Sequence, residues 1–165
     1  MKKKDGNLRL CIDYSQLNKV TINNMYPLLR IDDLFDELKG ETMFSNIDLR
    51  SRYHQIHIKE DEIYKTTFQT RYEHYEFVVV AFHLNIAPTI FMCLMNNVLC
   101  PYLDKFVIVF IDDILVYSMN EEEYDEHLTI LFKLLKVHQL YVEIRKCNCF
   151  QTEVHYLEHL FPRKA

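Results

Sequence analysis

Glycine is nearly absent from this chain. Gly6 and Gly40 are the two glycines among 165 residues, against an average near 7% in globular proteins. Proline adds four more breakers, and no stretch is rich enough in either residue to read as a linker. Positive charge is also short: the net charge is −5. Composition therefore does not advertise the basic surface of a nucleic-acid binder, although a local patch can coexist with an acidic whole. The densest basic cluster is Lys2-Lys3-Lys4, followed by Arg9. No run approaches the roughly 18 apolar residues that would span a membrane. The stretch after the lysines is broken by Asp5, Arg9 and Asp13, so it has no signal-peptide apolar region. The five cysteines, Cys11, Cys93, Cys100, Cys147 and Cys149, are odd in number, which points to free thiols in a reducing compartment. Cys147 and Cys149 are spaced too tightly for a structural zinc site, and no second Cys/His pair completes one.

The chain is 49% hydrophobic and 13% aromatic, enough to bury a core rather than remain disordered, and its length suits one domain or one module. Residues 8–14 read as a strand, residues 15–30 as irregular, and residues 30–39 as an amphipathic helix stopped by Gly40. Residues 43–48 read as a strand and residues 53–58 alternate as another. Residues 65–70 and 74–80 read as a hairpin. Residues 87–101 predict a helix opened by Ala87-Pro88, with Pro near the first turn and Ile90, Phe91, Leu94, Met95 and Val98 as a core stripe. In 106–118, two strongly apolar strands flank Asp112-Asp113 as a tight hairpin. Residues 121–138 predict a second long helix, with Ser118 or Asn120 as cap and Glu121 to Glu123 at its positive end. Short strands near 140–146 and 153–157 follow. His155 and His159 stand at helical spacing, but their segment reads as a strand, which argues against a metal pair. Helices and hairpins in mixed order predict an α+β fold.

The acidic residues carry the chemistry. Asp is a favoured turn residue, which is the plain explanation of Asp112-Asp113. Charges beside a buried hairpin nevertheless cost several kcal/mol unless paired or metal-bound. A third acid, Asp48, ends the strand at 43–48. If those strands are neighbours, the carboxylates converge at one sheet edge, where oxygen ligands suit Mg²⁺. Two such ions about 4 Å apart can serve phosphoryl or nucleotidyl transfer.

The motifs then match a family nearly end to end. The chain resembles the reverse transcriptases of gypsy-type long-terminal-repeat retrotransposons, and more distantly those of retroviruses. KKKDGNLRLCIDYSQLNKVT is similar to the fingers motif. YPLLRIDDLFDELKGETMFSNIDLRSRYHQI resembles the segment with the first catalytic aspartate, and KTTFQTRYEHYEFVVVAFHLNIAPTIFMCLMN the palm segment lining the nucleotide site. FIDDILVYS is similar to the [YF]-x-D-D box, and HQLYVEIRKCNCF and EVHYLEHLF to two closing motifs, the last a primer-grip hairpin.

The resemblance implies a polymerase palm with an antiparallel sheet and packed helices, plus part of the fingers. Residues 1–40 and 54–84 would be fingers-like, and 41–53 and 85–165 palm-like. It implies RNA-directed DNA synthesis from dNTPs onto a primer 3′-OH, on an RNA or DNA template, with two Mg²⁺ ions or with Mn²⁺. Asp48, Asp112 and Asp113 would be catalytic and metal-binding. Lys3 and Arg9 would hold the triphosphate, Tyr53 would be the gate against a ribose 2′-OH, and Phe82 would pack on the sugar. Asn18 and Gln55 are assigned to structure. It also implies a larger polyprotein with thumb, ribonuclease H and integrase parts, which the expected fingers-to-primer-grip span does not include. The expected location is a retroelement particle in the cytoplasm, or the nucleus, without secretion or a membrane.

Four departures stand against this pattern. Arg52 replaces the glycine of the family's S-G-Y-H-Q, Glu73 that of Y-G-H-Y-E-F, His83 that of P-F-G-L, and Glu158 that of F-L-G-H. Glycine serves where φ is positive or a backbone approaches a ligand, so strain of roughly 1–2 kcal/mol per left-handed residue is expected. Gly to Arg and Gly to Glu are each a single G-to-A change in a codon, which suits a drifting copy. The expected alternative to an enzyme is an inactive remnant or an interaction module.

Overall fold

The computed structural model describes residues 11–22, 33, 36–110, 113–156 and 159–161. Its centre is an antiparallel sheet built from β1 (Met43–Asp48), β4 (Val107–Phe110), β5 (Asp113–Ser118) and β6 (Asn148–Gln151), in the order β4-β5-β1-β6. Two small antiparallel pairs lie outside it: β2 (Phe68–Gln69) with β3 (His74–Tyr75), and β7 (Val154–Tyr156) with β8 (His159–Phe161). The helices are α1 (Ser15–Val20), α2 (Ala87–Leu99) and α3 (Glu121–Val137).

Period-two alternation sorts the sheet into two faces. Ile47, Val107, Val109, Ile114 and Val116 join the main core with Phe91, Met95, Val98, Leu128, Leu131 and Leu135 of α2 and α3. Phe44, Ile108, Leu115 and Tyr117 form a second cluster with Leu38. Asp48 and Asp113 alternate with Ile47 and Ile114, so the strands carry them on the side away from α2 and α3.

Local chemistry fixes the ends. Pro88 lies in the first turn of α2, where its missing N–H costs nothing. Asn120 caps α3, its side chain accepting from the Glu123 N–H at 2.9 Å. The pairing of β1 with β6 shifts register between Phe44 and Asn46, and Phe150 takes φ +56° there. Tyr124 of α3 answers that bulge: its hydroxyl accepts from the Phe150 N–H at 2.8 Å and bonds the buried Ser45 hydroxyl.

Several sequence expectations need correction. The described part of the strand expected over 8–14 has no regular structure, and Ser15–Val20, expected irregular, is helical; Asp13 accepts from the Ser15 N–H at 2.9 Å just before it. Residues 52–55 form a 3₁₀ turn rather than a strand, because Ser51 and Arg52 turn the chain at φ +54° and +30°. The strand expected over 140–146 reduces to a bridge between Leu49 and Val142 and a 3₁₀ turn at Ile144–Lys146. The hairpin expected over 65–80 pairs only at β2 and β3, and Glu60–Thr66 before it is 3₁₀.

Candidate active site

Asp48 is the last residue of β1 and Asp113 the first of β5, and they are direct cross-strand partners. Asp113 also pairs with Phe110 of β4. Residues 111 and 112, which join β4 to β5, lie outside the described residues, as do Lys3, Arg9 and Glu158; the expected roles of Asp112, Lys3 and Arg9 fall on them. The two described aspartates thus meet at one end of the two inner strands of the sheet.

A third side chain enters this end of the sheet. Arg52 Nη2 lies 2.7 Å from Asp48 Oδ2 and 3.6 Å from Asp113 Oδ1. The Asp48 side chain is 13% exposed, that of Arg52 27% and that of Asp113 41%, so the short contact is the one better shielded from water. Asp48 Oδ1 is buried without a hydrogen-bond partner. A buried acceptor with nothing to bond is costly, and a cation would satisfy it. In donor chemistry the two carboxylates therefore fit a divalent ion of the Mg²⁺ kind. Among the described residues no cluster of three or more His, Cys, Asp or Glu side chains is assembled for a metal.

The aromatic pair follows immediately. Tyr53 sits in the 3₁₀ turn after Arg52 and is 4% exposed. Its ring meets Phe82 at 5.3 Å and Phe91 of α2 edge-on at 5.9 Å, while Phe82 is 44% exposed. Phe82 is thus the ring that reaches the surface and Tyr53 the support behind it. Asn18, assigned to structure from the sequence, holds the same loop: its Nδ2 donates to the His83 carbonyl at 2.9 Å and its Oδ1 accepts from the Asn85 N–H at 3.0 Å. His83 lines an open groove with Asp13, Tyr14, Ser15 and Asn18.

Sequence reasoning missed the brace under Asp48. The Glu143 N–H donates to the Asp48 carbonyl at 2.9 Å, and the Arg50 N–H to the Tyr141 carbonyl at 2.8 Å. Cys147 Sγ accepts from the Asp48 N–H at 3.4 Å, and burial pushes this thiol's pKa up. No motif announces these contacts.

The glycine replacements separate. Arg52 has positive φ, but Glu73 and His83 are not among the described positive-φ residues. Strain from a lost glycine is therefore local to Arg52 among the described replacements. The five cysteines are free thiols, and no helix among the described residues is long and apolar enough to cross a membrane.

A four-stranded antiparallel sheet with two helices on one face and an acidic pair at one end of the other is the architecture of a polymerase palm. A foamy viral protease-reverse transcriptase solved in complex with double-stranded DNA superposes with a TM-score of 0.86 at 21% identity, over 99% of this chain and 28% of that one. The family model for reverse transcriptase (RNA-dependent DNA polymerase) matches residues 1–160, and the chain belongs to that family. It is 50% identical over 121 residues to an RNA-directed DNA polymerase homolog of Oenothera berteroana, covering 73% of this chain and 85% of that protein. It is 36% identical over 152 residues to the retrovirus-related Pol polyprotein from transposon 297 of Drosophila melanogaster, covering 92% of this chain but 14% of the polyprotein. These relatives agree with the gypsy-type motifs, and reverse transcriptases as a family use divalent metal ions.

Proposed function

We propose that this chain is the fingers-and-palm module of a retrotransposon RNA-directed DNA polymerase, transferring nucleotides from dNTPs to a primer 3′-OH. The observation that carries the reading is the pairing of Asp48 with Asp113 at one end of the two inner strands of the sheet. Asp48 and Asp113, with Asp112 between β4 and β5, would hold two Mg²⁺ ions, or Mn²⁺. Bound there, the ions would lower the barrier for attack of the primer hydroxyl on the α-phosphate and steady the leaving pyrophosphate. The remaining work falls to the chain. Lys3 and Arg9 would meet the triphosphate as cations. Phe82 would lie against the sugar, and Tyr53, buried behind it against Phe91, would back that ring so that the pair rejects a 2′-hydroxyl by bulk.

The main sheet, α2 and α3 all fall within 41–53 and 85–165, which supports a palm-like division there, with 1–40 and 54–84 fingers-like. The expected partners are a primed RNA or DNA template and the rest of a pol polyprotein.

One observation favours a second reading, a remnant that keeps the fold without the chemistry: Arg52 already pairs with the carboxylates. Primer extension on poly(rA)/oligo(dT) separates the two. The polymerase reading expects dTMP incorporation that disappears in Asp48→Asn; no incorporation in Mg²⁺ or Mn²⁺ by the wild type or by Arg52→Gly supports the remnant.

A further inference from the structure

We infer that Arg52 is a tethered internal cation that competes with divalent metal for Asp48 and Asp113. This rests on reading that end of the sheet as the metal-binding site proposed above. A single nitrogen, Nη2, faces both carboxylates, at 2.7 Å from Asp48 Oδ2 and 3.6 Å from Asp113 Oδ1. A bridging cation between two carboxylates occupies the position a metal would take.

Three physical features make the competitor effective. A guanidinium stays protonated at any working pH, so it cannot be titrated out of the site. It is attached four residues from its partner, so its local concentration is set by a short tether rather than by bulk solution. Its backbone is also committed: Ser51 and Arg52 turn at positive φ, and the 3₁₀ turn that follows is anchored by the buried ring of Tyr53. The pairing is nevertheless incomplete. Asp48 Oδ1 remains buried and unpartnered. A metal reaching that oxygen must therefore sit beside a fixed positive charge, or push the guanidinium off Oδ2 and lose the charge-assisted bond.

The test is a Mn²⁺ titration of the full chain, followed by the electron paramagnetic resonance of free Mn²⁺. Arg52→Gly removes charge and strain together, and Arg52→Gln removes the charge while keeping a side chain at positive φ. Both variants should bind Mn²⁺ about 10- to 100-fold more tightly than the wild type, the range worth one lost charge-assisted bond. The gain should vanish in Arg52→Gly/Asp48→Asn. Equal affinity in wild type and variants overturns the inference, whether tight or weak. A gain in Arg52→Gly alone overturns it too, because backbone strain and not charge would then be the obstacle. Failure of the polymerase reading looks different: Mn²⁺ affinity rises in both variants, yet no primer is extended. If instead wild type and variants bind Mn²⁺ equally and all extend primers, the polymerase reading stands without this inference.

Discussion

Gln55 grips Tyr141 through both halves of its backbone: Nε2 donates to the Tyr141 carbonyl at 3.1 Å and Oε1 accepts from the Tyr141 N–H at 2.6 Å. The same Nε2 reaches the Arg50 carbonyl. One amide side chain thereby continues the sheet where β1 has ended, tying the turn after Asp48 to the segment that braces it. Gln55→Ala should lower unfolding stability by about 0.5–1.5 kcal/mol, the net worth of solvent-exposed hydrogen bonds, since water and the Arg50 N–H still reach the Tyr141 backbone. Chemical denaturation measures this, and hydrogen exchange at the Tyr141 amide should quicken. An unchanged exchange rate would mean that the amide pair does not hold this segment.

Tyr124 makes the corresponding link from α3. Tyr124→Phe keeps the ring but leaves the Ser45 hydroxyl and the Phe150 N–H without their shared partner. A loss of about 1–3 kcal/mol is expected, larger than for Phe132→Ala on the same helix, where the ring is exposed. Comparable losses would show that the bulge draws its support elsewhere.

The aromatic pair predicts a split. Tyr53→Ala empties a buried site and should cost about 3–5 kcal/mol of stability. Phe82→Ala removes a half-exposed ring, so it should leave Tm within a few degrees while raising the apparent KM for dNTP. Loss of stability in Phe82→Ala with KM unmoved would remove Phe82 from the nucleotide side.

Two carboxylates on the Leu38 side set a pH dependence. Burial is the main cause holding the Glu37 and Glu41 pKa values above normal, with Asp104 adding to Glu37 and Glu123 to Glu41. The folded chain therefore keeps these protons more tightly than the unfolded chain. Stability falls as pH rises from the unfolded value near 4.3 through the raised folded values. Glu37→Gln should raise Tm at pH 7 and leave it nearly unchanged at pH 4. A Tm gain of equal size at both pH values would assign the effect to something other than ionisation.

Much of this was legible in the sequence. β1 begins and ends where the 43–48 alternation places it, α2 opens at Ala87-Pro88 and α3 at the Asn120 cap, because period and cap chemistry are local. The α+β class and the family were legible too. The meeting of Asp48 with Asp113 was not, since it depends on β5 choosing β1 as neighbour across the intervening helix and turns. The 3₁₀ turn at Arg52–Gln55 was hidden because YHQIHI alternates like a strand, while the Ser51–Arg52 corner is set by backbone angles that no pattern of apolar residues encodes. The same corner delivers Arg52 to Asp48, so the departure from the family glycine was visible while its consequence was not.

The most direct test of the account is the rate of dTMP incorporation on poly(rA)/oligo(dT) at Mg²⁺ well below saturation, compared between the wild type, Arg52→Gly and Arg52→Gly/Asp48→Asn. A polymerase site restrained by Arg52 predicts incorporation at least about tenfold faster in Arg52→Gly, equivalent to some 1.4 kcal/mol of barrier, and its abolition in the double variant. Equal rates in wild type and Arg52→Gly, or incorporation that survives Asp48→Asn, would contradict it.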